Sequence, residues 1–291
     1  ASLHRTLPGA WGQFAIICRR RMRQWWRRMP IRVLFLIVVE FAAAFLGVMD
    51  HFAFHTAPYE PPAIVNAQIS LGLLTSVYCL NTFSEDPPIF WREASHGLNR
   101  WSFFWGRHMV DLIDVLLMCL GFTTMYMCIV NPLLSYPLYV WPYFLVVWVA
   151  AGWGYLISAV LPFEYLALGP FISALTSFVT GGILGLPQHM SVYLDGGFYE
   201  TVVSVLSFTR WSTPMIFFKY TELFPVNLED MSLRAKFEYQ LYDDSYRQST
   251  WHFHGDDTLW WTGTLVLLAQ GLVLRMGACL GLQFVNRGKQ V

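Results

Sequence analysis

The segment DPPIFWREASHGLNRWSFFWGRHMVDL, residues 86–112, lies between two long apolar stretches of a 291-residue chain. It combines two prolines, three arginines and two histidines with several large aromatic side chains. Because a proline pair cannot extend a helix, the apolar helix before this segment is predicted to end before Pro87. We predict that the segment connects two membrane-spanning helices, and the side of the membrane on which it lies fixes the topology.

The composition is that of a membrane protein. Hydrophobic residues make up 55% of the chain and charged residues only 13%, whereas a soluble domain has about 25% charged residues. Six segments have the ~20 apolar residues that a helix needs to cross a bilayer: residues 31–50, 63–83, 110–130, 139–160, 166–186 and 258–281. We therefore predict an all-α membrane protein with six transmembrane helices and a single domain over residues 1–291.

The distribution of charge predicts the orientation. Residues 1–32 contain eight arginines and no acidic residue, and cytoplasmic flanks retain positive charge. Six spans then place the tail, residues 282–291, and the segment 86–112 on the cytoplasmic side as well. Residues 187–257 carry ten acids and five bases and are predicted to form a large external loop between spans 5 and 6. We expect a multi-pass protein of the plasma membrane with both termini in the cytoplasm.

The N-terminal region, residues 1–30, is predicted to be an amphipathic connecting helix that lies along the inner membrane interface. Its apolar and aromatic residues are spaced among arginines, as in interfacial helices. An ordinary positive-inside anchor accounts for these residues equally well. Spans 1–5 follow within residues 31–186, and span 6 is placed at residues 258–281.

No motif of a nucleotide site or of a hydrolase is present. The chain lacks G-x-x-x-x-G-K-[ST], G-x-S-x-G and H-E-x-x-H, and its five cysteines do not have zinc-ligand spacing. We therefore predict no catalytic residue, no metal site and no cofactor within the chain itself. Because the sequence begins with Ala1, we interpret it as a piece of a longer polypeptide.

Charged residues within spans are costly and suggest function. Glu40 lies halfway along the first span, where it either forms an interhelical hydrogen bond or contacts a transport path. Asp111 and Asp114 fall in the first turns of the predicted third span, where the helix dipole favours acids. Arg275 is near enough to the inner end of the last span for its side chain to extend toward the interface.

The run Asp86-Pro87-Pro88-Ile89-Phe90-Trp91-Arg92-Glu93, with Gly97, Arg100, Ser102, Phe104, Arg107 and Asp111-Leu112 after it, resembles a known loop. It is similar to the first intracellular loop of the G-type (white and pleiotropic-drug-resistance) ATP-binding-cassette transporters, whose membrane domains are of the ABC-2 type. Segments 180–187, TGGILGLP, and 208–223, FTRWSTPMIFFKYTEL, resemble later parts of the same domain. Where the family has Glu-Arg at the start of the loop, this chain has Asp86-Pro87.

The resemblance implies a membrane-spanning half of an ATP-driven transporter. ATP and Mg would be held by a nucleotide-binding domain, upstream on the same polypeptide, and two units would pair as a homodimer or heterodimer. The loop would pass the movement of that domain to the spans through a coupling helix. The implied coupling residues are Asp86, Phe90, Arg92, Glu93, Gly97 and Arg100, with Gly97 permitting close packing.

The resemblance also implies a translocation path between spans 2 and 5 of the two halves. By position, its lining residues would be Leu71, Leu74, Thr75, Tyr78 and Phe178. Ile183 and Leu184 would form an apolar valve at the outer end. Such side chains suit a hydrophobic or amphipathic substrate, such as a lipid, a sterol or a drug-like molecule.

Two other classes are compatible with the spans. One is an ABC exporter of another class, for a glycan or a lipid-linked glycan. The other is a membrane enzyme or a channel outside the ABC transporters, although Glu40 is the one polar residue that clearly lies within a predicted span. The loop motif favours the G-type transporter over both.

Overall fold

The computed structural model describes residues 8–53, 61–84, 87–132, 134–161, 163–183, 205–223, 236, 239–240, 243 and 257–284. Every regular element in these residues is helical. The α-helices are α1 (Ala10–Arg27), α2 (Met29–Ala53), α3 (Pro61–Ser84), α4 (Pro87–Ser95), α5 (Arg100–Val130), α6 (Tyr136–Val160), α7 (Gly169–Ser177), α8 (Thr209–Leu223) and α9 (Asp257–Phe284). The described part of the chain is therefore all-α, as predicted.

Five of these helices are long and apolar enough to cross a membrane. They are α2, α3, α5, α6 and α9, and they contain the predicted spans 1, 2, 3, 4 and 6. Helix α3 ends at Ser84, before the proline pair, as predicted.

The predicted fifth span, residues 166–186, is not one continuous α-helix in its described part. It consists of a 3-10 helix (Phe163–Leu168), α7 and a π-helical turn (Phe178–Ile183). The turn packs closely because Gly181 has no side chain: a Cβ there would lie 2.6 Å from the Phe208 ring and 2.9 Å from Cγ1 of Ile69. Residues 184–186 lie outside the described part of the chain.

Helix α6 lies at the centre of the bundle, packed between α3 and α9. Its backbone approaches α3 so closely that a Cβ on Gly154 would lie 2.5 Å from the Ser76 carbonyl oxygen. A Cβ on Gly152 would lie 2.9 Å from Cβ of Leu274 on α9. Small residues permit such close approach between membrane helices. Helix α2 packs mainly on α5 and exposes apolar side chains along its other side.

The turn between α4 and α5 sets where the first helix ends and the second begins. Gly97 is exposed with φ 92°, a backbone conformation that favours glycine. The side chain of Asn99 accepts hydrogen bonds from the amides of Trp101 and Ser102 and caps α5. Helix α5 consequently begins at Arg100, ten residues before the predicted span.

Candidate functional site

Helix α4 is joined to α1 by an ion pair. Nη1 and Nη2 of Arg20 donate to Oε1 and Oε2 of Glu93 at 2.5 and 3.1 Å. Two parallel bonds to one carboxylate fix geometry as well as charge. The resemblance implied Glu93 as a coupling residue, and the structure places its carboxylate against Arg20 of the connecting helix.

Further contacts hold α1 against the start of α5. The Asn99 amide donates to Oε1 of Gln13 at 2.7 Å, and the Ser102 hydroxyl donates to the Ala10 carbonyl at 2.9 Å. One turn on, the Cys18 thiol donates to the Gly106 carbonyl at 3.4 Å, and burial raises the pKa of that thiol. Helix α1 is therefore attached to the corner between α4 and α5 along much of its length.

Two buried aspartates of α5 receive the inward side chains of α1. Nη2 of Arg21 lies 3.3 Å from Oδ1 of Asp111, and both side chains are buried. The indole Nε1 of Trp25 donates to Oδ1 of Asp114 at 3.0 Å. The predicted explanation for these acids, the dipole of a helix start, is wrong, because α5 begins about three turns earlier.

Asp114 also joins α2 and α3. Arg32 of α2 forms an ion pair with its Oδ2 atom. The Tyr78 hydroxyl of α3 donates to the same oxygen at 2.7 Å, and Nη1 of Arg32 donates to that hydroxyl at 2.7 Å. One carboxylate thus binds side chains from α1, α2 and α3, and we call Arg21, Trp25, Arg32, Tyr78, Asp111 and Asp114 the polar junction.

A second buried cation holds α5, α6 and α9 together. Arg275 has no exposed surface, so the predicted extension toward the interface is wrong. Its Nη1 donates to the carbonyls of Trp148 and Gly271 at 2.8 Å each, and its Nε donates to Nε2 of His108 at 3.2 Å. The guanidinium carbon lies 3.4 Å from the centroid of the Trp148 ring. No described carboxylate pairs with this guanidinium. Two carbonyl dipoles and the face of an aromatic ring stabilise its charge instead.

Glu40 faces α5, as a charge within a span requires. A Cβ on Gly121 would lie 2.0 Å from its Oε1, so the absence of a side chain at Gly121 makes room for the carboxylate. No described residue donates a hydrogen bond to Glu40, and the predicted interhelical hydrogen bond is not formed within that part of the chain.

The remaining coupling candidates differ in their surroundings. Phe90 is buried, and its ring lies 4.5 Å from that of Phe103 between centroids. Arg92 is exposed, Arg100 opens α5 and is half-buried, and Asp86 lies outside the described residues.

The five path candidates are not brought together around one surface. Leu71 and Thr75 are fully buried within the chain, whereas Leu74 is half-buried and Phe178 is 56% exposed. Tyr78 belongs to the polar junction. Phe178 instead lines a groove of about 420 Å³ with Phe45, Leu46, Met49, Asp50, Asn66, Ile69 and Ser70. Of the valve candidates, Leu184 and the side chain of Ile183 lie outside the described part.

Other roles were predicted for Tyr78, Asp111 and Asp114, and their partners Arg21, Trp25 and Arg32 were missed. A signal for the polar junction was present, because Arg21 and Trp25 are four residues apart and Asp111 and Asp114 three apart, which puts each pair on one helix face. Two acids in one apolar helix also indicate partners.

Comparison with known proteins gives the family. The family model described as ABC-2 type transporter matches residues 1–213. The ABC-type transporter claG of Penicillium crustosum is 26% identical over 123 residues, which cover 42% of this chain and 16% of that protein. The chain therefore matches a small part of the length of this relative. Such membrane domains are transport components that are not themselves catalytic and work with nucleotide-binding domains, so a membrane enzyme or a channel outside this class is not supported. The chain, which spans the membrane several times, belongs to the ABC-2 type transporter family.

Proposed function

We propose that this chain is the membrane-spanning half of a G-type ATP-driven transporter for a hydrophobic or amphipathic substrate, such as a lipid, a sterol or a drug-like molecule. The observation that carries the proposal is the chain of contacts from the loop helix to the spans. Glu93 of α4 pairs with Arg20 of α1, and the next residue, Arg21, pairs with Asp111 of α5. A force on α4 would thus reach a membrane-spanning helix through charged side chains.

The proposed mechanism uses α1 and α4 as a lever. A nucleotide-binding domain, upstream on the same polypeptide, would bind ATP and Mg and move α4. The Arg20–Glu93 pair would carry that movement to α1, and Trp25 and Arg21 would carry it to α5. Through Asp114 the movement also reaches Tyr78 on α3. The coupling residues proposed are Asp86, Phe90, Arg92, Glu93, Gly97 and Arg100.

We propose a six-span topology in which the interrupted segment, residues 163–183, and its continuation make the fifth crossing. In this topology the protein lies in the plasma membrane, both termini lie in the cytoplasm, and residues 187–257 form the external loop. Two polar side chains of this segment form hydrogen bonds within it, which supports a crossing there. The Thr176 hydroxyl donates to the Ile172 carbonyl, and the Thr180 hydroxyl donates to the Thr176 carbonyl.

The substrate path is proposed to lie between α3, α7 and a second half, in a homodimer or heterodimer. Helix α7 and the turn after it expose Phe171, Leu175 and Phe178, an apolar surface that favours an apolar substrate over a glycan. Leu74 and Tyr78 of α3 would join this path, with Ile183 and Leu184 as its valve. Leu71 and Thr75 are buried here, so they would reach the path only if α3 rotates.

The test is transport by the full-length protein. Proteoliposomes would be loaded with ATP and Mg on the side of the nucleotide-binding domain, and movement of a fluorescent phospholipid and a fluorescent sterol would be followed. ATP-dependent, vanadate-sensitive movement of either probe is expected. Movement of a lipid-linked glycan but of neither probe would favour the other exporter class.

A further inference from the structure

The arginines of α1 are sorted onto two faces. Arg20 and Arg21 point inward and pair with Glu93 and Asp111. Arg19, Arg23 and Arg27 are exposed and form no ion pair with any described residue. They follow each other at intervals of four, so they form one row along the outer face of an 18-residue helix.

The positive charges of Arg19, Arg23 and Arg27 repel one another. Residues four apart on a helix are separated by about 6 Å along its axis, and like charges at that spacing destabilise the helix. Acids of the chain neutralise the inward arginines, whereas no described acid neutralises the outward row. A surface with several negative charges would remove the repulsion along the whole row.

The exposed surface of α1 also carries aromatic and aliphatic side chains: Ile16 and Trp26 lie within about 60° of this row around the helix axis, and Trp11 lies farther round. Trp11 is 84% exposed and Trp26 64%, and Ile16 is also exposed. Tryptophan concentrates where a membrane meets water, and a helix that combines it with arginine is typical of the membrane surface. The face therefore complements charged headgroups and the apolar layer below them at the same time.

We propose that Arg19, Arg23 and Arg27 bind the phosphate groups of anionic phospholipids, with Trp11, Ile16 and Trp26 inserted among the headgroups. The lipid would hold the outer face of α1 while the inner face holds the polar junction. The charge of the membrane would then set the position of the lever proposed above. Lipid binding itself is measured without transport, so its failure is distinct from failure of the transport proposal.

The test uses the full-length protein in lipid nanodiscs that contain spin-labelled phosphatidylserine or phosphatidylcholine. Electron paramagnetic resonance gives the fraction of each label that the protein immobilises. Wild type is expected to prefer phosphatidylserine, and high salt should weaken the preference. Each arginine near an anionic surface contributes about fivefold to association, so R19Q/R23Q/R27Q should weaken the preference by at least about tenfold.

The variant R19K/R23K/R27K is the matched control. Lysine keeps the charge, and a lysine or an arginine near an anionic surface contributes a similar attraction, so this variant should retain the preference for phosphatidylserine. An unchanged preference in R19Q/R23Q/R27Q would overturn the proposal. Loss in the lysine variant equal to that in the glutamine variant would also overturn it, because the positive charge at these positions would then not account for the preference.

Discussion

The hydroxyl of Tyr78 donates a 2.7 Å hydrogen bond to the carboxylate of Asp114. This bond connects α3, which the resemblance places beside the substrate path, to the helix against which α1 packs. The position of Asp114 within an apolar helix is explained by its partners, since Arg32 and Trp25 contact the same carboxylate. Asp114 therefore joins its own helix, α5, to α1, α2 and α3, and it is not a residue of a helix terminus.

Replacing Asp114 should destabilise the domain strongly. D114N leaves Arg32 buried without its counter-charge, and breaking a buried pair on one side costs about 3–5 kcal/mol. Y78F removes a hydroxyl that donates to Asp114 and accepts from Arg32 but leaves the ion pair in place, so it should cost less, about 1.5–3 kcal/mol. Thermal unfolding of the two purified variants in detergent measures the difference. Equal midpoints for D114N and Y78F would contradict the central position of Asp114.

Arg275 should not be replaceable by lysine. Its Nε and Nη1 atoms reach His108 and two carbonyls in fixed directions, and a single ammonium cannot reproduce that geometry. We expect R275K and R275M to lower the unfolding midpoint by similar amounts. A fluorescence-detected thermal scan of both variants checks this, and a wild-type midpoint for R275K would show that charge alone suffices.

Close packing of α6 on α3 should make Gly154 intolerant of alanine. The new methyl group would lie 2.5 Å from a backbone oxygen of Ser76, so the helices must separate. Overpacking of this kind costs about 1–3 kcal/mol. G277A is the control, since a Cβ there meets only Leu156, at 3.4 Å, and alanine favours the helix. If both variants unfold like wild type, the close approach of α3 and α6 is wrong.

Much of the architecture could be predicted from apolar segment lengths. Spans 1–4 and 6 were found because each is predominantly apolar over the length that a helix needs to cross a bilayer. The interruption around residues 163–183 was not predicted, because the contact between Gly181 and Phe208 depends on tertiary packing rather than on hydropathy. The start of α5 was missed for a related reason: Arg100 to Met109 are mixed in polarity, yet Asn99 caps them into the same helix.

The candidate site was only partly predictable. The loop motif identified Glu93, but its partner Arg20 is one of eight arginines, and the sequence does not say which of them points inward. Arg275 looked interfacial because it lies near a helix end, and only the fold shows Trp148 and His108 around it. Which charged side chains meet depends on helix packing, which a single sequence does not reveal.

The Arg20–Glu93 pair is proposed to couple ATP hydrolysis to the spans. The direct measurement is the vanadate-sensitive ATPase activity of full-length R20E, E93R and R20E/E93R, with unfolding midpoints recorded in parallel. A half-exposed ion pair contributes only ~0.2–1 kcal/mol to stability, so all three midpoints should stay near that of wild type. We predict that each single reversal lowers substrate-stimulated ATPase activity and that the double reversal restores most of it. Full activity in both single variants would contradict the claim.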